Sequence, residues 1–221
     1  MPRDLSKPLP RESLAEGSAT LTLVRGVSVG RAESPRRSTG VSAIVFEAPV
    51  PTIVDVRGGA SGTFDTASLA LDATFGLREA VFFAGGSLYG LDAAAGVRRA
   101  VLARGGGVRV FDNPNPIVPI SGAILFDLPS KRGGIPDYER LGYRAARSAS
   151  HAPVDQGRVG AGAGATIGKY LGRDRAALGG LGSAASEISG LGRIGALVAV
   201  NSVGAVRDPD TGRLVEGPRG P

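Results

Sequence analysis

From Arg158 to Leu171 the chain reads R-V-G-A-G-A-G-A-T-I-G-K-Y-L, with four glycines interleaved among small residues. Glycine at that density lets backbone lie against backbone, or against a ligand, because no Cβ holds the neighbour off. The chain carries 35 glycines in all, and they sit inside apolar segments rather than in Gly/Ser tracts. That placement points to close packing and tight turns, not to a flexible linker. Lys169 closes the run. It is one of three lysines (Lys7, Lys131, Lys169) in a chain whose other cationic side chains are arginine. Lysine is a compact donor that gives up its proton when buried, and arginine is not. Two readings of Lys169 stand side by side: a residue placed for chemistry, or a solvated lysine on a glycine-rich loop.

With 221 residues, the chain is long enough for one large domain or two small ones. Hydrophobic residues at 42% and charged residues at 21% fit a soluble globular protein. No apolar run is long enough to span a bilayer. The start, M-P-R-D-L-S-K-P-L-P, has charge and proline but no apolar core, which argues against a secretory signal and makes cytoplasm the expected compartment. Without cysteine there is no disulfide framework and no thiolate metal site. The single histidine, His151, rules against a histidine metal site or a His-centred triad and reads as structural or solvated. The net charge of +6 raises nucleic acid as a partner. The arginines are scattered, though, aromatics are only 5%, and no basic run is interleaved with stacking residues.

In chain order, residues 1–18 read as a polar N-terminal arm, with T-L-T-L-V after Ala19 as an alternating strand. V-S-V-G (27–30) extends it. V-S-A-I-V-F-E (41–47) and T-I-V-D-V-R (52–57) read as a hairpin turned at Pro49-Val50-Pro51. A-V-F-F-A (80–84) is a short buried strand, followed by Gly85-Gly86-Ser87 and a helix that ends near Gly105. That turn offers backbone N–H groups as an anion or oxyanion site, or is a helix start capped by Ser87. V-R-V-F (108–111) reads as a strand, and 117–128 as an apolar stretch broken by Pro119 and Gly122. Asp137–Ser150 is an amphipathic helix with Pro136 near its start. Residues 176–192 are rich in Gly, Ser and Ala. Residues 193–208 hold two strands with Asn201 and Ser202 at their junction, and the tail thins into loop.

The familiar nucleotide motifs fail in the glycine run. Gly164 and Gly168 enclose three residues, Gly162 and Gly168 five, and Tyr170 stands where a P-loop needs Ser or Thr. Gly160-x-Gly162-x-x-Ala165 matches a dinucleotide fingerprint loosely, but H-A-P-V-D-Q before it is no buried strand. No serine sits in G-x-S-x-G. Ser-Lys pairing and the N-terminal nucleophile remain as routes to acyl transfer, and Lys169 with Asn201 would suit either. A credible nucleophile is missing.

Seven blocks then occur in order: V-S-V-G (27–30), S-T-G-V-S-A-I-V-F (38–46), D-V-R-G-G-A-S-G-T (55–63), G-G-S-L-Y-G-L-D-A-A-A-G-V (85–97), I-V-P-I-S-G-A-I-L-F-D-L (117–128), G-R-V-G-A-G-A-G-A-T-I-G-K (157–169) and L-V-A-V-N-S-V-G-A-V (197–206). Together they resemble the L-aminopeptidase/D-esterase family of self-cleaving amide hydrolases, over roughly Val27 to Gly212. That family includes the β-peptidyl aminopeptidases and the 6-aminohexanoate-oligomer (nylon-oligomer) hydrolases.

The resemblance implies an αββα sandwich of the self-processing aminopeptidase/ornithine acetyltransferase type. It implies a precursor that cleaves itself ahead of a Ser or Thr, which becomes the nucleophile at the N-terminus of a smaller β chain. This chain would be the α part: an arm over 1–18, its share of one domain over 19–212, and the start of a linker over 213–221. Lys169 matches an active-site lysine of the nylon-oligomer hydrolases, and Asn201 an active-site asparagine found more widely. Gly86, Ser87, Tyr89 and Gly90 fall in the block that lines the substrate pocket. Phe126, ahead of Asp127, stands where the nylon-oligomer hydrolases carry a tyrosine, so any task of that hydroxyl falls to Asn201 and backbone. The resemblance implies no cofactor and no metal, a β chain from the same precursor as partner, a homo-oligomer of αβ units, and a peptide or oligoamide substrate. Two rivals remain: a nucleotide- or anion-binding module built on Gly85-Gly86-Ser87, and an acyltransferase on the same sandwich.

Overall fold

The computed structural model describes residues 11–12, 19–34, 36–128 and 134–220. Its strands, in chain order, are β1 (Arg11–Glu12), β2 (Val27–Glu33), β3 (Gly40–Pro51), β4 (Thr63–Phe64), β5 (Leu77–Ala84), β6 (Ile120–Ile124), β7 (Thr166–Ile167), β8 (Ala177–Leu178), β9 (Gly180–Ile188), β10 (Gly192–Val200), β11 (Val206–Arg207) and β12 (Leu214–Glu216). The helices are α1 (Ala93–Ala103) and α2 (Tyr138–Arg147). Five strands form one sheet in the order β2-β3-β5-β6-β4, antiparallel except where β5 runs parallel to β6. A second sheet has the order β1-β9-β10.

The large sheet is buried on both faces. Val41, Ala43 and Val45 of β3 and Ala80, Phe82 and Ala84 of β5 point to one face and form the main core with α1 and α2. The two helices cross at glycines: a Cβ on Gly96 would strike the Glu139 carbonyl, and one on Gly142 the Ala93 carbonyl. Asp137 caps α2, its carboxylate accepting the Arg140 N–H at 2.9 Å.

Ser42 and Phe83 face the other way. Ser42 Oγ accepts the Ala161 N–H at 3.1 Å, and Glu33 accepts the Gly160 N–H at 2.6 Å. These bonds dock the 3₁₀ turn Gly160–Gly162 on the sheet, where a Cβ on Gly160 would collide with Ser42. Phe83, Leu125, Ala161, Ala165 and Ala199 then join the large sheet to the β9–β10 sheet. The described residues thus stack a helix pair, a sheet and a second sheet. The close packing expected of the glycine run is its main structural role.

Several local expectations change. T-L-T-L-V is not a strand: Leu21–Leu23 is a 3₁₀ turn, and the two threonines, not the leucines, are buried. Their hydroxyls bond each other at 2.9 Å, and Thr22 Oγ1 donates to the Ala152 carbonyl at 3.1 Å, which satisfies them inside. The 41–57 hairpin does not form. β3 runs straight through Pro51, and β2 and β5 occupy both of its edges, leaving 52–57 without a partner strand. In place of strand 108–111 there is a single bridge, Val108 to Ile117, and Phe111 is exposed. The Gly/Ser/Ala stretch holds β9, whose nine residues pair with β10 without a bulge. In the tail, β12 pairs with β11, and the Arg219 N–H donates to the Arg175 carbonyl at 2.7 Å. Of the expected N-terminal arm, only Arg11–Glu12 falls among the described residues, paired to β9.

Candidate active site

Lys169 and Asn201 come from elements far apart in sequence. Lys169 opens a 3₁₀ turn, Lys169–Leu171, directly after Gly168, whose φ of +69° reverses the chain out of β7. A Cβ on Gly168 would also strike the Gly217–Pro218 backbone, so the tail is laid against this turn. Asn201 follows the last residue of β10.

The two side chains meet. Lys169 Nζ donates to Asn201 Oδ1 at 2.9 Å, to the Asn201 carbonyl at 3.0 Å and to the Thr166 carbonyl. All three N–H groups of the ammonium thus have acceptors. Asn201 Oδ1 also accepts the Thr166 N–H at 3.0 Å, and Nδ2 donates to the Phe126 carbonyl at 3.1 Å. With two donors converging on Oδ1, the amide has one orientation, and a second Nδ2–H has no acceptor among the described residues. Burial lowers the pKa of Lys169, and the positive charge of Arg173 lowers it further.

Lys169 lines a cleft of about 750 Å³ with Thr166, Gly164, Phe126, Asp127 and Arg173. Phe126 is half-exposed, and the Arg173 guanidinium lies 4.6 Å above its ring. Asp127 is a residue the sequence flagged only as Phe126's neighbour. Its Oδ1 accepts the Gly86 N–H at 2.5 Å, while Oδ2 is buried with no hydrogen-bond partner among the described residues. Burial raises its pKa, against the bond from Gly86 and the nearby Thr39 hydroxyl, which lies outside bonding geometry to Oδ2. Its one legible signal was a carboxylate in the apolar run I-V-P-I-S-G-A-I-L-F-D-L.

The Gly85-Gly86-Ser87 turn does not present its donors outward as expected. Gly85 N–H goes to the Gly40 carbonyl at 2.9 Å and Ser87 N–H to the Leu125 carbonyl at 3.0 Å, with Gly86 held by Asp127. The chain turns inward because Gly86 (φ +83°) backs onto the Tyr138 ring, and Tyr138 OH is 2.9 Å from Thr39 Oγ1. Burial pushes the Tyr138 hydroxyl up to about 12. Nor does Ser87 cap the helix: it starts the 3₁₀ turn Ser87–Asp92 that leads into α1. The structure therefore joins Lys169, Asn201 and Phe126 directly, and Gly86 through Asp127. Gly90 is buried against the Gly85 carbonyl, and Tyr89 is half-exposed, with no described contact to Lys169.

Solved structures share this arrangement of layers. The L-aminopeptidase D-Ala-esterase/amidase of Ochrobactrum anthropi superposes with a TM-score of 0.59 at 23% identity, over 87% of this chain and 56% of that one. A Burkholderia sp. β-aminopeptidase gives 0.58 at 20% identity, over 89% and 56%. The fold is that of the N-terminal-nucleophile (Ntn) hydrolases, mixed α/β with its strands in stacked sheets. Residues 19–216 match the family model described as peptidase family S58, and the chain belongs to that family.

Among curated relatives, an uncharacterized aminopeptidase of Mycobacterium tuberculosis is 36% identical over 201 residues, covering 87% of this chain and 56% of its own length. The 6-aminohexanoate-oligomer endohydrolase of Kocuria sp. is 34% identical over 192 residues, covering 87% and 50%. The chain spans about half the length of the curated relatives it matches. No helix among the described residues is long and apolar enough to cross a membrane.

Proposed function

We propose that the chain is the α part of an amide-bond hydrolase, completed by a β chain cut from the same precursor. The β chain's N-terminal Ser or Thr is the nucleophile, and its free amine takes the hydroxyl proton. Attack on the substrate carbonyl gives a tetrahedral oxyanion. Its collapse releases the amine half, and water then resolves the acyl-enzyme. Family membership and the activities named for the relatives support this reading, with peptides or linear oligoamides as substrates. The αβ units assemble further into a homo-oligomer.

The observation that carries the reading is the locked amide of Asn201. Lys169 and the Thr166 N–H fix Oδ1 and the Phe126 carbonyl takes one Nδ2–H, so the other Nδ2–H is left to donate to a substrate. A preorganised donor aimed at a developing oxyanion is worth several kcal/mol in a site shielded from water. Lys169 spends all three donors on Thr166 and Asn201, so its role is to orient Asn201 and supply positive potential. Asp127 holds the Gly85–Gly86 turn that borders the site.

Intact-mass analysis of the purified protein tests the proposal. A second, smaller polypeptide that begins at Ser or Thr and co-purifies with this chain is the expected result. A product in which no chain begins with Ser or Thr, yet which hydrolyses amides, would overturn it.

A further inference from the structure

The cleft beside Lys169 is lined by four arginines as well: Arg36, Arg37, Arg158 and Arg173. Outside the cleft, Arg31, Arg57, Arg99 and Arg193 each lie within 3.2 Å of a carboxylate, while Arg98 lies over the Phe64 ring and Arg104 donates to the Ala146 carbonyl with no carboxylate beside them among the described residues. Among the described residues, no cleft arginine is paired in this way. Two of them are nonetheless held in place. Arg158 donates through Nε and Nη2 to the Ala163 carbonyl at 3.2 and 3.0 Å. Arg173 lies over the Phe126 ring and donates through Nη1 to the Leu128 carbonyl at 3.3 Å. The lining has two carboxylates, Asp127 and Asp174. Asp127 is turned inward, with Oδ1 on Gly86 and Oδ2 out of solvent.

Five cations therefore face a single cleft that holds two carboxylates, one of them turned away. Like charges gathered without counter-charge repel, and low-dielectric walls focus their field. A ligand that brings a carboxylate relieves this repulsion and gains charge-assisted hydrogen bonds from the guanidinium groups. A ligand that brings an ammonium meets repulsion instead.

We propose that this cleft is a carboxylate subsite, and that the preferred substrates are short amides whose leaving half ends in a free carboxylate. The inference rests on the amide-hydrolase reading. It fixes the direction of the substrate: the carboxylate end lies along Arg36, Arg37, Arg158 and Arg173, and an acyl half with a free ammonium points away from them. Hydrolysis then releases an amino acid or ω-amino acid, whose carboxylate stays on the arginines until it dissociates.

The test uses the protein purified with the chain that completes it, and substrate pairs that differ in one group. Alanyl-alanine and the linear dimer of 6-aminohexanoate are each assayed as the free acid and as the C-terminal carboxamide. The expected result is a KM at least tenfold lower for the acids, a difference that shrinks between 50 and 500 mM NaCl. The Arg36→Ala/Arg37→Ala double variant should raise KM for the acids and leave the amides near their original values. Turnover of both forms with equal KM would overturn the subsite and leave the hydrolase reading standing. If no pair is turned over, calorimetric titration with alanyl-alanine and its amide decides. Salt-sensitive binding of the acid alone upholds the subsite, and equal or no binding of both overturns it.

Discussion

Lys169 Nζ sits 2.9 Å from Asn201 Oδ1 and 3.0 Å from the carbonyl of the same residue, so one ammonium grips both ends of Asn201. The Thr166 N–H shares Oδ1, and the Phe126 carbonyl takes one Nδ2–H. The side-chain amide cannot flip without losing both bonds to Oδ1 and the one from Nδ2 together.

Asn201→Ala removes the proposed oxyanion donor. Loss of one oxyanion donor costs on the order of 10²–10³ in kcat, and kcat should fall in that range with KM changed little. Asn201→Asp, which offers an acceptor in that place, should be as poor. Steady-state kinetics of the two variants checks this. A kcat within about threefold of wild type, well short of that range, would remove Asn201 from the chemistry.

Lys169 predicts an alkaline limb in the pH–rate profile. Burial and the Arg173 charge hold its pKa below the ordinary lysine value. As pH rises through the lowered pKa, the amine loses an N–H and the grip on Asn201 loosens, so activity falls. Stability moves the other way. In the window between the folded and ordinary lysine pKa, the unfolded chain binds more protons, so stability rises with pH. Activity should therefore fall before any drop in Tm. In Lys169→Arg the limb should disappear, and in Arg173→Ala it should move up. Paired rate and melting curves across alkaline pH are the measurement.

Asp127 predicts a contrast between two variants. Asp127→Ala leaves the Gly86 N–H buried without its acceptor, which costs about 1–3 kcal/mol. Asp127→Asn keeps an oxygen for Gly86 and should recover most of that loss. Chemical denaturation separates them, and equal destabilisation by both would count against the turn-holding role.

The helix pair predicts a stability effect far from the chemistry. Gly96→Ala would drive a methyl into the Glu139 carbonyl, and Gly142→Ala would do the same at Ala93. Overpacking of this kind costs about 1–3 kcal/mol, against a small gain in helix propensity from replacing glycine. Both variants should lower the denaturation midpoint, and an unchanged midpoint would mean that α1 and α2 do not cross at these glycines.

Elements with strong local signals were legible from the chain. The run A-V-F-F-A, the amphipathic stretch from Asp137, and the Leu197–Val200 strand all occur near where their patterns place them, because their apolar periods match the faces they bury. The failures share one physical cause. T-L-T-L-V alternates like a strand, yet its threonines are inside because the Ala152 carbonyl and the Val154 N–H supply hydrogen bonds that sequence spacing does not show. T-I-V-D-V-R has strand composition but no free edge to join, since β2 and β5 already flank β3. β9 has weak composition and forms regardless, because backbone pairing with β10 needs no large side chains.

By itself the sequence determined the family, through seven ordered blocks, and singled out Lys169 and Asn201 as residues worth placing. It also determined where backbone can approach backbone, because only glycine leaves that space. Tertiary structure alone decided that Lys169 grips Asn201, that Asp127 pulls the Gly86 donor inward, and that four arginines converge on one cleft. Those relations join residues 32, 41 and more than 100 positions apart. Hydrogen bonds and charge act through distance in space, and only the packing of the two sheets sets that distance.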